Sequence, residues 1–495
     1  MLFEIALSLL ISWTLWFIIL NHFRRRKMPP GPYPLPVIGN ALSVGNEPPF
    51  SMEHLRKKYG DIYTITFPIG TFVVVSYGEF LQDALVNKKD DFAGRPDATF
   101  FPLNSIFEGK NILFADYGPP LLFRRKVVST ALHVFGKGVE NIEKRVSDEV
   151  DRLLTWIEEK NGEAFSPRYQ VTFTIMNNIS EWLLSKRYDL DDPMVEKLFE
   201  FNEKLLQVSR QGSYYQFLPF MKYLPTKFMT EYWEIMKFRE EFFTSHFNYH
   251  RQTYKPSVVR DITDALISAY ETEKEKDRGK DFGKVEDIKF LMMDILLATT
   301  DTTSSIVTWF ILFMILNEDV QDNVYKELLE VVGESRSPGW NDMPNLHYLK
   351  AVVWEVMRLS AFGPLDVPHK AIRNSTIGEY HIPKGTTILF NFWRIHLDPR
   401  HWKEPSLFNP KRFLDENGKF IGWDALKYFK PFGEGRRVCL GHALGKMQLL
   451  IVAAKLLHRF KLKAPEGKPT PSPLDGTVSA VRFPKQYDIV AIKRK

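Results

Sequence analysis

The sequence predicts a mainly α-helical protein with a minor β-rich region and one N-terminal transmembrane helix. Three observations predict it. Apolar residues recur at helical spacing through long segments, two short alternating segments meet at Pro68-Ile69-Gly70, and Leu2 to Leu20 carries a single charge, Glu4. The 495 residues are 44% hydrophobic and 25% charged, the balance of a folded chain. The net charge of +6 is modest and the basic residues are interleaved with acidic ones. Nucleic acid is therefore not an expected partner.

The amino terminus comes first. Leu2 to Leu20 has the length a helix needs to cross a bilayer. Arg24-Arg25-Arg26-Lys27 follows and places the downstream chain on the cytosolic side. A cleaved signal peptide would carry its charges before the apolar run and a small-residue site after it. Residues 1–23 are thus expected to be a signal anchor, single-pass in the endoplasmic reticulum membrane and in contact with lipid. Residues 24–38, with Met28-Pro29-Pro30-Gly31-Pro32-Tyr33-Pro34, form a basic, proline-rich and extended hinge. Residues 39–495 form the catalytic domain.

Within that domain, Ile62 to Phe67 and Thr71 to Ser76 alternate as a hairpin, and Thr386 to Asn391 reads as a further strand. Helical periodicity covers Val139 to Trp156, Met194 to Val208, Thr230 to Gln252, Val285 to Asn317, Val320 to Val332 and Leu346 to Ser360. Glu271 to Lys284 reads as a solvated loop. Ile295 to Leu316 is apolar enough to suggest a second span, but Asp301 and its many hydroxyl neighbours make a buried core helix the better reading.

Cys439 is the only cysteine, so neither an internal disulfide nor a multi-cysteine metal site is possible. A lone thiolate can ligate haem iron or act as a nucleophile. It sits in Phe432-Gly433-Glu434-Gly435-Arg436-Arg437-Val438-Cys439-Leu440-Gly441. Gly435 and Gly441 let the backbone turn under a flat ligand, and Arg437 can reach a carboxylate on it. The pattern F-x-x-G-x-R-x-C-x-G resembles the haem-binding loop of the cytochrome P-450 family, and Cys439 is taken as the iron ligand with Phe432 and Arg437 beside the cofactor.

Further motifs carry the resemblance through nearly the whole chain. Glu355-Val356-Met357-Arg358 resembles the family's E-x-x-R element, and Phe408-Asn409-Pro410-Lys411-Arg412-Phe413 the segment giving a second arginine. The resemblance implies a structural network of Glu355, Arg358 and Arg412. Ala298-Thr299-Thr300-Asp301-Thr302-Thr303 looks like the oxygen-activation element, with Asp301 and Thr302 as the catalytic acid and alcohol. Two departures stand out: Thr299 replaces the usual glycine, and Leu121 the usual tryptophan four residues before Arg125.

By the same resemblance Arg95, Arg125, His369 and Arg437 are expected to bind the haem carboxylates. Phe114, Ala298, Thr299, Phe362 and Val367 are the expected substrate-pocket residues, and Phe100, Phe101 and Phe107 add aromatic walls. Asp366 fits either a solvent-exposed position or a polar anchor for substrate. The runs Val367-Pro368-His369-Lys370-Ala371 and Asn391-Phe392-Trp393-Arg394 look most like animal microsomal members such as steroid 17-alpha-hydroxylase and the aryl-hydrocarbon-inducible hydroxylases.

The implied activity is hydroxylation of a lipophilic, steroid-like or aromatic small molecule by a haem b monooxygenase using O2. No flavin or nucleotide motif is present, so electrons are expected from a separate NADPH-cytochrome P-450 reductase. Arg124, Lys126, Lys430, Arg436 and Lys446 are candidates for its basic docking face. Two alternatives stay open from sequence alone: a haem-thiolate isomerase or hydroperoxide-rearranging enzyme, and a non-catalytic haem-bound lipophile sensor.

Overall fold

A computed structural model describes the chain apart from residues 1–3, 5–11, 13, 14, 18, 20, 24, 46–48, 97–101, 137, 138, 218, 277–282, 479, 480 and 495. The expected membrane anchor lies mostly outside the described residues. Those of its residues that are described are helical, with Leu15, Trp16 and Ile19 exposed.

The longer helices are α1 (Pro119–Gly136), α2 (Val139–Glu159), α3 (Arg168–Leu184), α4 (Pro193–Phe217), α5 (Lys227–Phe238), α6 (Ser245–Thr253), α7 (Ile262–Lys276), α8 (Ile288–Leu316), α9 (Glu318–Val331), α10 (His347–Ser360) and α11 (His442–Arg459). Strand β1 (Ile62–Phe67) pairs antiparallel with β2 (Gly70–Val75). β2 then pairs parallel with β6 (Thr387–Phe390), and β3 (His369–Lys370) closes the four-stranded sheet in the order β1-β2-β6-β3. Two-stranded ladders β4 (Ser375–Ile377) with β5 (Tyr380–Ile382), β7 (Phe460–Lys463) with β10 (Val490–Lys493), and β8 (Gly476–Val478) with β9 (Arg482–Pro484) complete the β structure. The molecule is mainly helical with small sheets, as expected.

α8 is the core. It is apolar nearly all round because α3, α10, α11 and β9 cover it on several sides. By length and composition it could cross a membrane, yet it is largely enclosed by protein, which bears out its assignment as a core helix. Its hydroxyls are satisfied internally: Thr300 donates to Leu296 O at 2.8 Å, Ser304 to Thr300 O at 2.7 Å and Thr308 to Ser304 O at 2.6 Å. Ser305 and the Trp309 indole both donate to Arg482 O, fastening β9 to the helix.

Two expectations need correction. Glu271 to Lys276 is the last part of α7 rather than loop, where Glu273 pairs with Lys126 and Lys276. The segment expected as one helix from Thr230 to Gln252 is interrupted by π-helical turns at Arg239–Thr244. The proline-rich segment also packs on the domain: Thr64 donates its N–H to Pro30 O at 2.8 Å and its hydroxyl to Pro29 O at 2.7 Å. β1 is the sheet edge, and proline carbonyls accept from it without offering a donor row of their own.

Candidate active site

Cys439 lies between a 3-10 turn (Gly435–Arg437) and the start of α11. Its N–H donates to Phe432 O at 3.0 Å, closing the loop on the residue that opens the motif. Gly435 has φ +73°, and a Cβ there would lie 2.3 Å from Leu85 O. Its glycine therefore serves a close approach of two chain segments, not room for a ligand as the sequence suggested. At Gly441 a Cβ would meet no atom within 4 Å, so open space does face the loop at that residue.

Cys439 is accessible, yet burial pushes its thiol pKa up. A group that is both accessible and desolvated faces an enclosed cleft rather than bulk solvent. The Gly441 N–H and the Arg125 guanidinium pull in the opposite direction and favour thiolate. Arg125 is held there by a 2.8 Å bond from Nη2 to Val438 O.

Three guanidiniums gather around this loop. Arg437 donates Nε to Ala93 O at 2.7 Å, Nη1 to Ile112 O at 3.3 Å and Nη2 to Ala115 O at 2.9 Å. Arg95 donates Nε to Leu113 O and Nη1 to Val367 O and Pro368 O, each at 3.0 Å. Among the described residues their side chains donate to backbone carbonyls, not to carboxylates. Burial, reinforced by repulsion from Arg95 and Arg125, pushes Arg437 down to about 8, and burial pushes Arg95 down to about 10. Packed cations of this kind are costly until an anion joins them. The donor set fits a flat ligand bearing carboxylates.

His369, expected with these cations, is 1% exposed. Its Nδ1 lies 2.7 Å from Phe92 O and its Nε2 3.2 Å from Asp366 Oδ2. Asp366 is accordingly neither solvent-exposed nor free to anchor a ligand with both oxygens: it is half-buried and paired.

One strip of α8 is accessible among buried neighbours. Ala298 is exposed and Thr299, Asp301 and Thr302 are half-buried, while Thr300, Thr303 and Ser304 between them are buried. The helix runs unbroken through Thr299, so no other residue opens it in place of glycine. Thr302 Oγ1 donates to Ala298 O. Asp301 Oδ1 accepts from Asn202 Nδ2 at 2.8 Å, and burial raises its pKa against the pull of Asn202 and Arg168.

Asn202 and Asp294 were missed from sequence. Asn202 sits in α4, in a stretch with little motif resemblance, and its only signal was polarity on an otherwise apolar face. Asp294 of α8 accepts from the Asn111 amide at 3.2 Å and from the Ile112 and Leu113 N–H groups. It thereby holds the loop whose carbonyls receive Arg95 and Arg437.

Phe114 packs on Phe107 with ring centroids 5.7 Å apart, and Phe362 and Val367 are half-buried against the core. Phe100 and Phe101 lie outside the described residues. Leu121 is buried in α1.

Glu355 and Arg358 are both fully buried. Arg358 donates Nε to Glu355 Oε2 at 2.7 Å and Nη2 to Oε1 at 2.8 Å, while Arg412 Nε reaches Oε1 at 3.3 Å. Arg358 Nη1 also caps His396 O and Pro405 O at 2.8 Å, so the network ties α10 to the chain leading to the cysteine loop.

Most of the expected docking cations are committed within the chain. Arg124 bonds Gly109 O, Lys126 pairs with Glu273, Lys430 with Glu434 and Arg436 with Asp90. Lys446 lies over the Trp423 ring at 4.8 Å.

A helical fold with an accessible thiol in an enclosed cleft, facing clustered guanidiniums, defines a haem-thiolate protein. The cytochrome P450 family matches residues 29–491, and the chain belongs to that family. It is therefore a haem b monooxygenase acting on lipophilic substrates with a redox partner. Among similar proteins, steroid 17-alpha-hydroxylase/17,20 lyase of Ictalurus punctatus is 32% identical, covering 94% of this chain and 91% of the relative. Cytochrome P450 1A1 of Sparus aurata is 31% identical over 94% and 92%, and cytochrome P450 2D16 of Cavia porcellus 31% over 100% and 98%.

Proposed function

We propose that the chain is an endoplasmic reticulum monooxygenase, anchored by residues 1–23 and hinged by residues 24–38, whose domain 39–495 hydroxylates a flat lipophilic small molecule, steroid-like or aromatic. The observation that carries this reading is the Cys439 thiol, accessible yet desolvated, beside three guanidiniums that donate to carbonyls. Cys439 holds the iron, Phe432 sets the loop, and Arg95, Arg125 and Arg437 hold the haem carboxylates with His369 at the edge of the cluster. Bound haem would supply oxygen activation and one-electron chemistry.

Asp301 and Thr302 move protons toward the open strip of α8. The raised pKa of Asp301 suits an acid that holds its proton nearer neutrality, and Asn202 fixes the carboxylate's orientation. Thr302 Oγ1 bonds Ala298 O, which leaves its oxygen as an acceptor toward the cleft. Phe114, Ala298, Thr299, Phe362 and Val367 wall the substrate and exclude water. Glu355, Arg358 and Arg412 stiffen the support of the cysteine loop. Electrons come from NADPH-cytochrome P-450 reductase, with membrane lipid delivering substrate and O2 as co-substrate.

The test is the reduced carbon monoxide spectrum of the detergent-solubilised chain and of Cys439→His. A thiolate-type band in the wild type, lost in the variant, supports the assignment. The same band in both, or no bound porphyrin in either, overturns it.

A further inference from the structure

The buried side chains of α6 are Phe247 and His250, so a titratable ring supplies much of the face by which this helix docks. His250 Nδ1 lies 2.8 Å from His246 O, and Nε2 lies 2.8 Å from Asp261 Oδ2. A carbonyl only accepts, so Nδ1 carries hydrogen. An ionised carboxylate also only accepts, and a bare lone pair on Nε2 would set two acceptors against each other in a buried site. One proton therefore occupies the gap between Nε2 and Oδ2, whether it is drawn on the ring or on the acid.

The remaining bonds of Asp261 extend this link. Its Oδ2 also accepts from the hydroxyl of Ser185, the residue that ends α3, at 2.7 Å, and its Oδ1 from the Asp264 N–H at 3.0 Å. The ring thus joins α6 to the end of α3 and the start of α7. The charged neighbours are accounted for on every side. Asp264 is paired with Arg260 through Nε at 2.6 Å and Nη2 at 2.8 Å, and Arg145 of α2 donates to Arg260 O. On α6 itself the Tyr249 ring stands edge-on to His250, and His246 is pushed down to about 4 by burial, with Lys186 adding to the effect. Burial lowers the His250 pKa, but the Asp261 bond and charge outweigh it and leave the value raised. His250, Asp261 and Asp264 have ligand atoms within 4.8 Å of one another, yet Arg260 already takes both oxygens of Asp264.

α6 is the end of a longer arm. Before it, Phe238 of α5 and Phe243 of the π-helical turns pack on Phe201 of α4 with ring centroids 4.7 Å and 5.9 Å apart, and Arg239 donates to Ile106 O at 2.6 Å. α4 is the helix whose Asn202 bonds Asp301. The arm is fixed at one end to the helix beside the candidate active site and at the other by His250.

We propose that the proton shared by His250 and Asp261 is a pH-sensitive latch that fastens α6 to the junction of α3 and α7, holding the α5–α6 arm at both ends until alkaline pH releases one. An imidazole whose pKa is raised by folding contributes stability that is full below about 6.5 and is lost as pH rises through the folded value. Without the proton, acceptor faces acceptor and α6 lifts from its seat, while the aromatic packing on α4 is untouched.

The experiment is hydrogen exchange of the detergent-solubilised holoprotein, followed peptide by peptide from about pH 6 to about pH 9 and corrected for the intrinsic pH dependence of amide exchange. Protection of α6 should fall above about pH 6.5, by at most about tenfold per pH unit, with α10 falling less. Asp261→Asn sets an amide nitrogen opposite the lone pair of a neutral ring, and His250→Gln removes the titrating ring. Both should make α6 protection independent of pH over this range. Level protection of α6 in the wild type overturns the proposal, as does an equal fall in α10 or a fall that persists unchanged in either variant. A fall abolished by EDTA would assign the cluster to a bound cation and overturn it as well. Should neither variant fold, the wild-type profile of α6 against α10 decides.

Discussion

Asn202 of α4 donates a 2.8 Å hydrogen bond to Asp301 of α8, across the gap between two helices. Burial raises the Asp301 pKa, and this bond is the leading opposing influence, because it stabilises the ionised form.

Asn202→Ala should therefore raise the Asp301 pKa further, through loss of one charge-assisted bond. If the protonated acid is the competent form, the alkaline limb of the product-formation profile moves to higher pH. An unchanged limb, measured with saturating reductase, would separate Asp301 from proton delivery.

Burial pushes Asp294 up to about 6 despite the donors from Asn111, Ile112 and Leu113. A raised carboxylate pKa stabilises the fold fully below the unfolded value near 4, and that stability is lost as pH rises through about 6. Asp294→Asn abolishes this dependence. Between pH 5 and 7.5 the stability of wild type relative to the variant should fall by about 1–2 kcal/mol in urea melts. A constant difference across that range would show that Asp294 does not titrate there.

Glu355→Gln leaves Arg358 and Arg412 without a counter-charge inside the protein. Breaking one partner of a buried pair costs about 3–5 kcal/mol. The expected result is little haem-loaded protein at 37 °C. Arg412→Lys should be milder, since its contact with Glu355 is longer, at 3.3 Å, than the 2.7 Å and 2.8 Å bonds from Arg358. Haem content per mole of folded chain decides both.

Thr299→Gly removes a β-branched side chain from the open strip of α8. The variant should convert a larger share of consumed NADPH into hydroxylated product. Equal coupling in the two proteins would mean that Thr299 does not impede oxygen activation.

Asn374-Ser375-Thr376 is a glycosylation sequon, and Asn374 is exposed at the start of the β4–β5 hairpin. With the domain on the cytosolic face it should carry no glycan, and endoglycosidase should leave the mobility of membrane-expressed protein unchanged. A shift would place the domain in the lumen.

Much of this site was legible because its chemistry is written in local patterns. Glu355 and Arg358 share one helical turn, and Cys439 and Arg437 lie two residues apart. The hairpin from Ile62 was equally plain, since both strands alternate and meet at one glycine. α3 escaped notice because it is buried on nearly every face and so lacks an amphipathic stripe. α1 opens with two prolines, which are tolerated in a first helical turn but give no periodic signal of where the helix begins. Asn202 and Asp294 depend on partners far along the chain or on backbone groups that no side-chain motif reports. The partners of Arg124, Lys126, Lys430, Arg436 and Lys446 were hidden for the same reason: charge counts reveal cations, not the carbonyls, acids and rings beside them.

The seat of the proline segment on Thr64 also sets how the protein can be shortened. Starting the polypeptide ahead of Met28 discards the greasy leader and keeps both carbonyl acceptors in place. Starting it after Pro30 would strip them away, leaving a bare strand margin on which a second molecule can template itself into aggregate.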